Sequence, residues 1–244
     1  METPIMSDED IKEELEDLEE GKAAGIDKMK PELYKELGKS KFCREIMKRN
    51  YNTVIKKGEI PKSWNTTRTT LIAKVKKPRP KDHRPIAVAN ISYKILAQFI
   101  KKMEKHILRN GMEKDNQIGF TAGGRIEYNH FILQYLVERA HKKEEEMFVI
   151  ALDFKKAFDS VDRIKLIETL IEYKINPTVV DLIAKLYSED RTVLSLGNWS
   201  KEIDVNSGIK QGCPMSTTLF KLVTYKIIRH MEERGKNTMW KEEI

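Results

Sequence analysis

The feature that most constrains the fold of this chain is an apolar run that ends in an aspartate. Residues 147–152 read MFVIAL, and Asp153 follows directly. A short, uninterrupted apolar run is typical of a strand that is buried on both faces. Such a strand needs neighbours in a sheet, so the run predicts a domain built around a sheet. The carboxylate of Asp153 would then emerge at the rim of that sheet.

The rest of the sequence predicts a mixture of helices and a few strands. Apolar residues recur at helical spacing over about 7–20, 31–37, 41–57, 91–110, 126–143, 163–173, 177–188 and 216–233. Segments rich in β-branched residues predict a strand at 68–75 and a hairpin formed by 192–196 and 201–205. Composition changes softly near residue 120, which divides a basic N-terminal half from a strand-centred C-terminal half.

Charge is distributed unevenly along the chain. Residues 1–20 contain ten acidic side chains and one basic side chain, whereas the rest of the chain contains 44 basic and 28 acidic ones. The segment 56–84 has ten Lys or Arg residues against two acids, with several prolines, which predicts an exposed strand–loop–strand. So basic a body favours a polyanionic partner such as nucleic acid. A solvated basic surface is the alternative interpretation.

Several functional classes lack their sequence signals. The chain has only two cysteines, Cys43 and Cys213, which argues against a disulfide framework or a zinc site and favours an intracellular protein of the nucleus or cytoplasm. No histidine lies near Cys213 in the sequence, so a packing role is expected for it. The sequence contains no HExxH, GxSxG or Walker motif. No apolar run is long enough to span a membrane. Paired carboxylates would suit a glycosidase, but a basic body argues for phosphates instead.

Asp153 is the strongest candidate for a catalytic residue. A carboxylate at the end of a buried strand is a good Mg²⁺ ligand, because magnesium prefers one or two carboxylates together with phosphate oxygens. Asp159 and Asp162 have a simpler explanation, since either could cap the helix that begins near Arg163.

An ordered series of motifs resembles a known family. MFVIALDFKKAFDSVD resembles the first catalytic motif of the reverse transcriptases of non-LTR (long interspersed type) retrotransposons, and SGIKQGCPMSTTLF resembles the next motif, with the core QGCPxS. GKAAGIDKMKPELYKEL is similar to the N-terminal extension motif of these elements. IPKSWNTTRTTLIAKVKK and DHRPIAVANISYKILAQFI are similar to the two fingers motifs, and QIGFTAGG to the linking QxGF segment. The resemblance covers residues 20–244, and so long an ordered series is specific.

The resemblance implies an α+β fold of the right-hand polymerase type, with fingers and an incomplete palm and without a thumb. Residues 1–20 would form an acidic helix, residues 21–120 the basic fingers region with its N-terminal extension, and residues 121–244 a partial palm. The implied activity is RNA-directed DNA polymerisation by two-metal nucleotidyl transfer. An RNA template, a DNA primer and deoxynucleoside triphosphates are the implied partners, and a membrane is not.

Site residues follow from the matched motifs. Asp153 occupies the position of the family's aspartate that binds both catalytic magnesium ions, with Mn²⁺ as an alternative metal. Two such ions would activate the primer hydroxyl and stabilise the leaving pyrophosphate. The backbone around Phe154 would lie beside the incoming triphosphate. Phe158 matches the steric gate that excludes a 2′-hydroxyl, although without the family it reads as a core aromatic.

Four further residues match nucleotide-binding positions. Lys74 and Arg84 match cations of the fingers that hold the triphosphate, with Arg84 the stronger candidate, although any cation in so basic a stretch can be merely solvated. Gln211 and Gly212 match residues near the nucleotide and template, where a glycine allows close backbone approach.

One part of the family's site is missing from the sequence. The family has an Asp-Asp pair in a hairpin after the QGCP helix, whereas this chain contains no Asp-Asp dipeptide. One aspartate cannot hold two metals at the required geometry, so the isolated chain is expected to lack polymerase activity. The strand at 147–153 is expected to expose an unpaired edge.

The sequence therefore supports three hypotheses. The chain is a fragment of a reverse transcriptase, or a retrotransposon relic that binds RNA or an RNA–DNA hybrid without catalysis. The third hypothesis is a host-adopted interaction protein that no longer meets nucleic acid, for which the acidic helix 7–20 is the only support.

Overall fold

A computed structural model of the chain describes residues 2–79, 82–111, 118–120, 123–196 and 199–234. The described residues combine helices with one small sheet, in agreement with the predicted α+β class. The helices are α1 (Asp8–Glu16), α2 (Pro31–Gly38), α3 (Lys41–Lys57), α4 (Lys62–Asn65), α5 (Ile91–Gly111), α6 (Ile126–Lys143), α7 (Arg163–Glu172), α8 (Pro177–Ser188) and α9 (Ser216–Arg234). The strands are β1 (Thr66–Ala73), β2 (His83–Val88), β3 (Arg191–Leu196) and β4 (Trp199–Asp204).

Helix ends lie close to where capping chemistry predicts them. Ser7 caps α1 in a capping box with Asp10, although the helix ends at Glu16 rather than near residue 20. Gly58 ends α3 with a left-handed φ of 65°. The side chain of Asp162 accepts hydrogen bonds from two amides at the start of α7, and the side chain of Asn176 caps α8 in the same way. These helices begin and end through local contacts that the sequence encodes directly.

The four strands form one mixed sheet in the order β2–β1–β3–β4. β1 and β2 form the predicted antiparallel hairpin, with Arg68 opposite Val88, and β3 and β4 form the second hairpin. A parallel pairing of β1 with β3, with Thr66 opposite Arg191, joins the two hairpins. Strands from both sides of residue 120 therefore share one sheet, and the domain boundary placed there stays a prediction.

The core is formed by α5 together with α7, α8 and α9. Buried apolar side chains from these helices include Leu96, Ile183 and Leu219, each with no exposed surface. No described helix is long and apolar enough to cross a membrane. The acidic helix α1 also contributes to this core, since Ile11 and Leu15 are buried, so it is not merely a solvated face.

The prediction of a buried strand at 147–152 is wrong for this structure. The segment has no regular secondary structure, and its apolar side chains are exposed, with Phe148 at 84% and Ile150 at 82%. A strand is stable only beside a neighbour that satisfies its backbone hydrogen bonds, and no described strand pairs with this segment. The expectation that a strand at 147–153 exposes an unpaired sheet edge is therefore also wrong, since no strand forms there.

Candidate functional site

The two most specific motifs of the sequence lie side by side. The QGCP loop, defined as residues 207–214, carries the QGCP sequence and is hydrogen-bonded to the segment 158–161, which follows Asp153. The amide of Ile209 donates to the carbonyl of Phe158 at 2.9 Å, and the amide of Gly208 donates to the carbonyl of Val161 at 2.9 Å. These bonds fix the QGCP loop against the segment that begins at Asp153.

Gly208 makes this close approach possible. Its φ is +78°, and a β-carbon at this position would lie 2.7 Å from Cα of Asp159. Only glycine fits a backbone that is both left-handed and this close to another chain segment. Gln211 Nε2 also donates to Asp159 Oδ1, at a long 3.5 Å. Asp159 therefore contacts the QGCP loop, in agreement with a structural role for this carboxylate.

The QGCP loop also meets the sheet. The amide of Ala87, in the edge strand β2, donates to the carbonyl of Gln211 at 2.8 Å. Gly212 follows with a φ of +101°, and a β-carbon there would lie 2.9 Å from the carbonyl oxygen of Ala87. The loop thus runs along the edge of β2, and its backbone replaces a missing strand neighbour at this point.

Lys74 and Arg84 lie on the hairpin formed by β1 and β2. Arg84 is opposite Ile72 in the ladder, and the amide of Lys74 donates to the carbonyl of Asp82 at 2.8 Å. Lys74 directly follows the last residue of β1, so both cations lie near the loop end of the hairpin. Both side chains are exposed, and neither forms an ion pair with a described carboxylate.

Phe158 belongs to an aromatic cluster. Its ring stacks on that of Phe220 with centroids 4.8 Å apart and planes inclined by 12°. Phe120 meets both rings edge-on, at 6.1 Å from Phe158 and 6.3 Å from Phe220. Phe158 is half-buried and lies against the core, so the structure gives it a packing contact on one side and leaves part of the ring accessible.

Asp153 stands apart from these contacts. It lies in a segment without regular secondary structure, and both it and Phe154 are exposed. No group of three or more His, Cys, Asp or Glu side chains that could hold a metal forms within the described residues. The structure brings Phe158, Gln211 and Gly212 together, but it does not join Asp153 to a second carboxylate.

A cavity of about 540 Å³ opens beside the QGCP loop. Gly212 and Pro214 line one wall, the acidic N-terminal segment lines another, and Lys94 and Gln98 of α5 line a third. Burial lowers the pKa of Lys94, which lies within the cavity wall. The volume is that of a typical ligand pocket, and both signs of charge line it.

Sequence reasoning missed a buried group of charges beneath the QGCP loop. Arg163, Asp190 and Lys210 form two ion pairs, with Asp190 Oδ2 2.7 Å from Arg163 Nη2 and Asp190 Oδ1 2.8 Å from Lys210 Nζ. Burial lowers the pKa of Lys210, an effect that Asp190 opposes. No charge pattern in the sequence marks these residues, because their burial depends on how α7 and α8 meet the loop.

Comparison with known proteins gives the family of the chain. Residues 75–240 match the family described as reverse transcriptase (RNA-dependent DNA polymerase). The chain is 32% identical over 187 residues to a retrovirus-related Pol polyprotein from the type-2 retrotransposable element R2DM of Drosophila melanogaster. The aligned region covers 75% of this chain and 17% of that protein.

Two further relatives agree. The Transposon TX1 uncharacterized 149 kDa protein of Xenopus laevis is 28% identical over 250 residues, which covers 99% of this chain and 18% of that protein. A retrovirus-related Pol polyprotein from the type-1 retrotransposable element R2 of Nasonia vitripennis is 27% identical over 207 residues, or 82% of this chain and 19% of that protein. The chain therefore spans less than a fifth of the length of these relatives.

Proposed function

Because the chain belongs to the reverse transcriptase family of non-LTR retrotransposons, we propose that it supplies the fingers and the first part of the palm of an RNA-directed DNA polymerase. One observation carries this proposal. The QGCP loop is hydrogen-bonded both to the turn after Asp153 and to β2 of the basic hairpin. The segment after Asp153 and the hairpin of β1 and β2 are far apart in the sequence, and both therefore contact the QGCP loop.

The proposed nucleotide site lies where these motifs meet. Gln211 and Gly212 would present backbone and an amide side chain to the nucleotide, and the accessible part of Phe158 would contact the sugar. Lys74 and Arg84 would hold the triphosphate, since two exposed cations near the loop end of one hairpin suit a polyphosphate. The backbone around Phe154 would complete the site beside the phosphates.

Asp153 is proposed as one ligand of a divalent metal, Mg²⁺ or Mn²⁺. The described residues do not fit a complete metal site, because Asp153 is exposed and no second carboxylate accompanies it. A bound metal would supply charge stabilisation to phosphoryl transfer. This chain contributes a single carboxylate to it, so we propose that the isolated chain does not extend primers.

Primer extension on an RNA template with Mg²⁺ tests the catalytic part of the proposal. We expect no product from the chain as it stands. Product that disappears in Asp153→Asn would show that this chain is catalytically complete and would overturn the proposal of inactivity.

Binding of RNA or of an RNA–DNA hybrid without catalysis is the second candidate function. The segment 56–84 carries ten Lys or Arg side chains against two acids, and residues 71–79 are all exposed. A titration of hybrid binding against salt tests it, since log affinity should fall linearly with log salt when phosphates are neutralised. Lys74→Gln with Arg84→Gln should lower the slope, whereas Lys201→Gln on the opposite edge strand β4 serves as the matched control. A flat salt response would exclude this function.

A further inference from the structure

Arg163 ties three parts of the chain together from the first turn of α7. Its guanidinium donates to the carbonyl of Gly208 at 2.8 Å and to the carbonyls of Tyr187 and Val205, both at 2.6 Å. The planar group has five N–H donors in a fixed fork, so these bonds hold the end of α8 and the start of the QGCP loop at fixed positions.

Asp190 links this clamp to the loop itself. One carboxylate oxygen pairs with Arg163 and the other pairs with Lys210, and the Asp190 side chain is only 2% exposed. Lys210 precedes Gln211 directly in the chain, so its ammonium is an anchor for the residue that contacts β2. The carbonyl of Lys210 also accepts a hydrogen bond from the amide of Cys213 at 3.3 Å, which closes the turn.

The ammonium of Lys210 also donates a hydrogen bond to the carbonyl of Leu186 at 3.4 Å and faces two aromatic rings. The ammonium lies 4.8 Å from the ring centroid of Tyr187 and 5.3 Å from that of Tyr93. Both rings are buried, and the hydroxyl of Tyr93 is 3.1 Å from Sγ of Cys213. Cation–π contacts and one carboxylate offset part of the cost of removing the lysine from water.

A gain in folding stability does not explain why Arg163, Asp190 and Lys210 are buried together. Two cations face one carboxylate, and replacement of buried ion pairs by apolar side chains of similar volume is often neutral or stabilising. The backbone of the loop, by contrast, has little freedom to shift, because Gly208 and Gly212 both approach another segment too closely for a β-carbon. The ion pairs of Lys210 and Arg163 with Asp190 therefore serve to hold the QGCP loop in one register against β2.

We propose that Lys210, fixed by Asp190 and Arg163, is a positioning residue that sets the register of the QGCP loop against β2. Because Lys210 is buried, it acts through Gln211 and Gly212 rather than by contact with a ligand. Its effect on ligand binding rests on the proposed function, whereas its effect on the loop does not.

Amide hydrogen exchange tests the positioning role in the folded chain. Lys210→Met keeps the length of the side chain and removes its charge. We expect exchange at Ile209 and Ala87 to accelerate by at least about tenfold, while amides in the middle of α8 keep their protection. Lys185→Met is the matched control, because Lys185 also lies in an ion pair, with Asp181, but at the surface. That variant should leave exchange at Ile209 and Ala87 unchanged.

Two more variants keep the inference falsifiable if Lys210→Met folds poorly. Asp190→Asn should loosen the same two amides, and Lys210→Arg should preserve most of their protection because it restores a cation. Unchanged exchange in folded Lys210→Met or Asp190→Asn would overturn the proposal. So would a uniform acceleration across α5, α8 and the sheet, which would indicate a purely stabilising role.

Hybrid binding separates this inference from the proposed function. With an RNA–DNA hybrid as the probe, Lys210→Met should weaken affinity several-fold and leave the slope of log affinity against log salt unchanged, because Lys210 is buried and releases no counterion. A lower slope would indicate a direct phosphate contact and would contradict positioning. If the unaltered chain binds no hybrid, the proposed function fails, while the exchange experiment still decides the role of Lys210.

Discussion

The amide of Ala87 in β2 donates a 2.8 Å hydrogen bond to the carbonyl of Gln211 in the QGCP loop. This single bond joins the basic hairpin to the loop that the proposed nucleotide site depends on. Its partners are backbone atoms, so apart from Ala87→Pro, which removes the N–H, no substitution at either residue abolishes it directly. A change in the conformation of the loop would also break this bond. Gly212 constrains that conformation most, because it combines a positive φ with a close approach to Ala87.

Gly212→Ala is expected to destabilise the fold by about 2–4 kcal/mol, since it combines a strained backbone conformation with a steric overlap at Ala87. Gly21→Ala is the matched control: Gly21 also has a positive φ, but a β-carbon there would meet no atom within 4 Å. It should cost only about 1 kcal/mol. Urea unfolding measures both, and equal losses would show that the overlap at Ala87 is relieved.

The stacked rings of Phe158 and Phe220 should be energetically coupled. A double-mutant cycle with Phe158→Leu and Phe220→Leu is expected to give a coupling of about 0.5–1.5 kcal/mol in free energy of unfolding. Phe42 is 74% exposed, so a cycle of Phe42→Leu with Phe220→Leu should give no coupling. Additive losses for the first pair would contradict the stacking geometry.

The buried position of Lys210 predicts an alkaline dependence of stability. Burial lowers its pKa below the ordinary value of 10.5, so the folded chain releases this proton at a lower pH than the unfolded chain. The unfolded state then binds more protons, and the free energy of unfolding rises with pH up to about 10.5. Lys210→Met should abolish this rise in chemical unfolding measured at a series of alkaline pH values.

The groups around Lys210 set the upper limit of that rise. Burial raises the pKa of Tyr93 and of Tyr187 above the ordinary 10.0. Unfolded tyrosines ionise first as the pH increases, so stability falls again above about 10. This fall in stability above about pH 10 should remain in Lys210→Met. If it disappears in that variant, the fall is not caused by the tyrosines alone.

The N-terminal helix should loosen in acid. The hydrogen bond from Arg44 lowers the pKa of Asp8 below its ordinary 3.8, and Arg44 Nε and Nη2 lie 3.0 and 3.2 Å from the two carboxylate oxygens. A lowered pKa stabilises the fold at neutral pH, and that contribution is lost as the pH falls through the range below about 3.8. Asp8→Asn should flatten this acid dependence, while Glu59→Gln should leave it intact.

The exposed apolar run at 147–152 should promote self-association. Ile150→Lys is expected to reduce concentration-dependent aggregation, measured by light scattering, without lowering the free energy of unfolding, because Ile150 is 82% exposed. Ile164→Lys changes an isoleucine of α7 that is 73% exposed and should reduce aggregation less. Equal effects would indicate that added charge, rather than the run itself, is responsible.

Helices were the most predictable part of the fold. Ser7, Gly58 and Asn176 act within one turn of their own position, so their caps could be inferred without tertiary structure. The strand expected at 147–152 failed for the opposite reason, since a strand depends on partners that local sequence does not specify. The parallel pairing of β1 with β3 was likewise not predicted, because its register is decided between distant segments.

The site divides in the same way. The sequence motifs identified Gln211, Gly212 and Phe158, and the structure brings these three close together, while their roles toward a nucleotide stay predictions. Asp190 was not identified, because an isolated acid before a strand is ordinarily a surface residue. Its importance arises only when the ends of α7 and α8 converge on Lys210.

The parallel pairing of β1 with β3 has a consequence for biosynthesis. Thr67 Oγ1 lies 3.3 Å from the carbonyl of Arg191, a partner 124 residues later in the chain. During translation the β1–β2 hairpin can form early, but one side of β1 must wait until residues 191–194 leave the ribosome. At about 5–20 residues per second this interval lasts on the order of ten seconds. A nascent chain carries an open strand edge for that time, which makes it a candidate client for chaperones that recognise exposed strands.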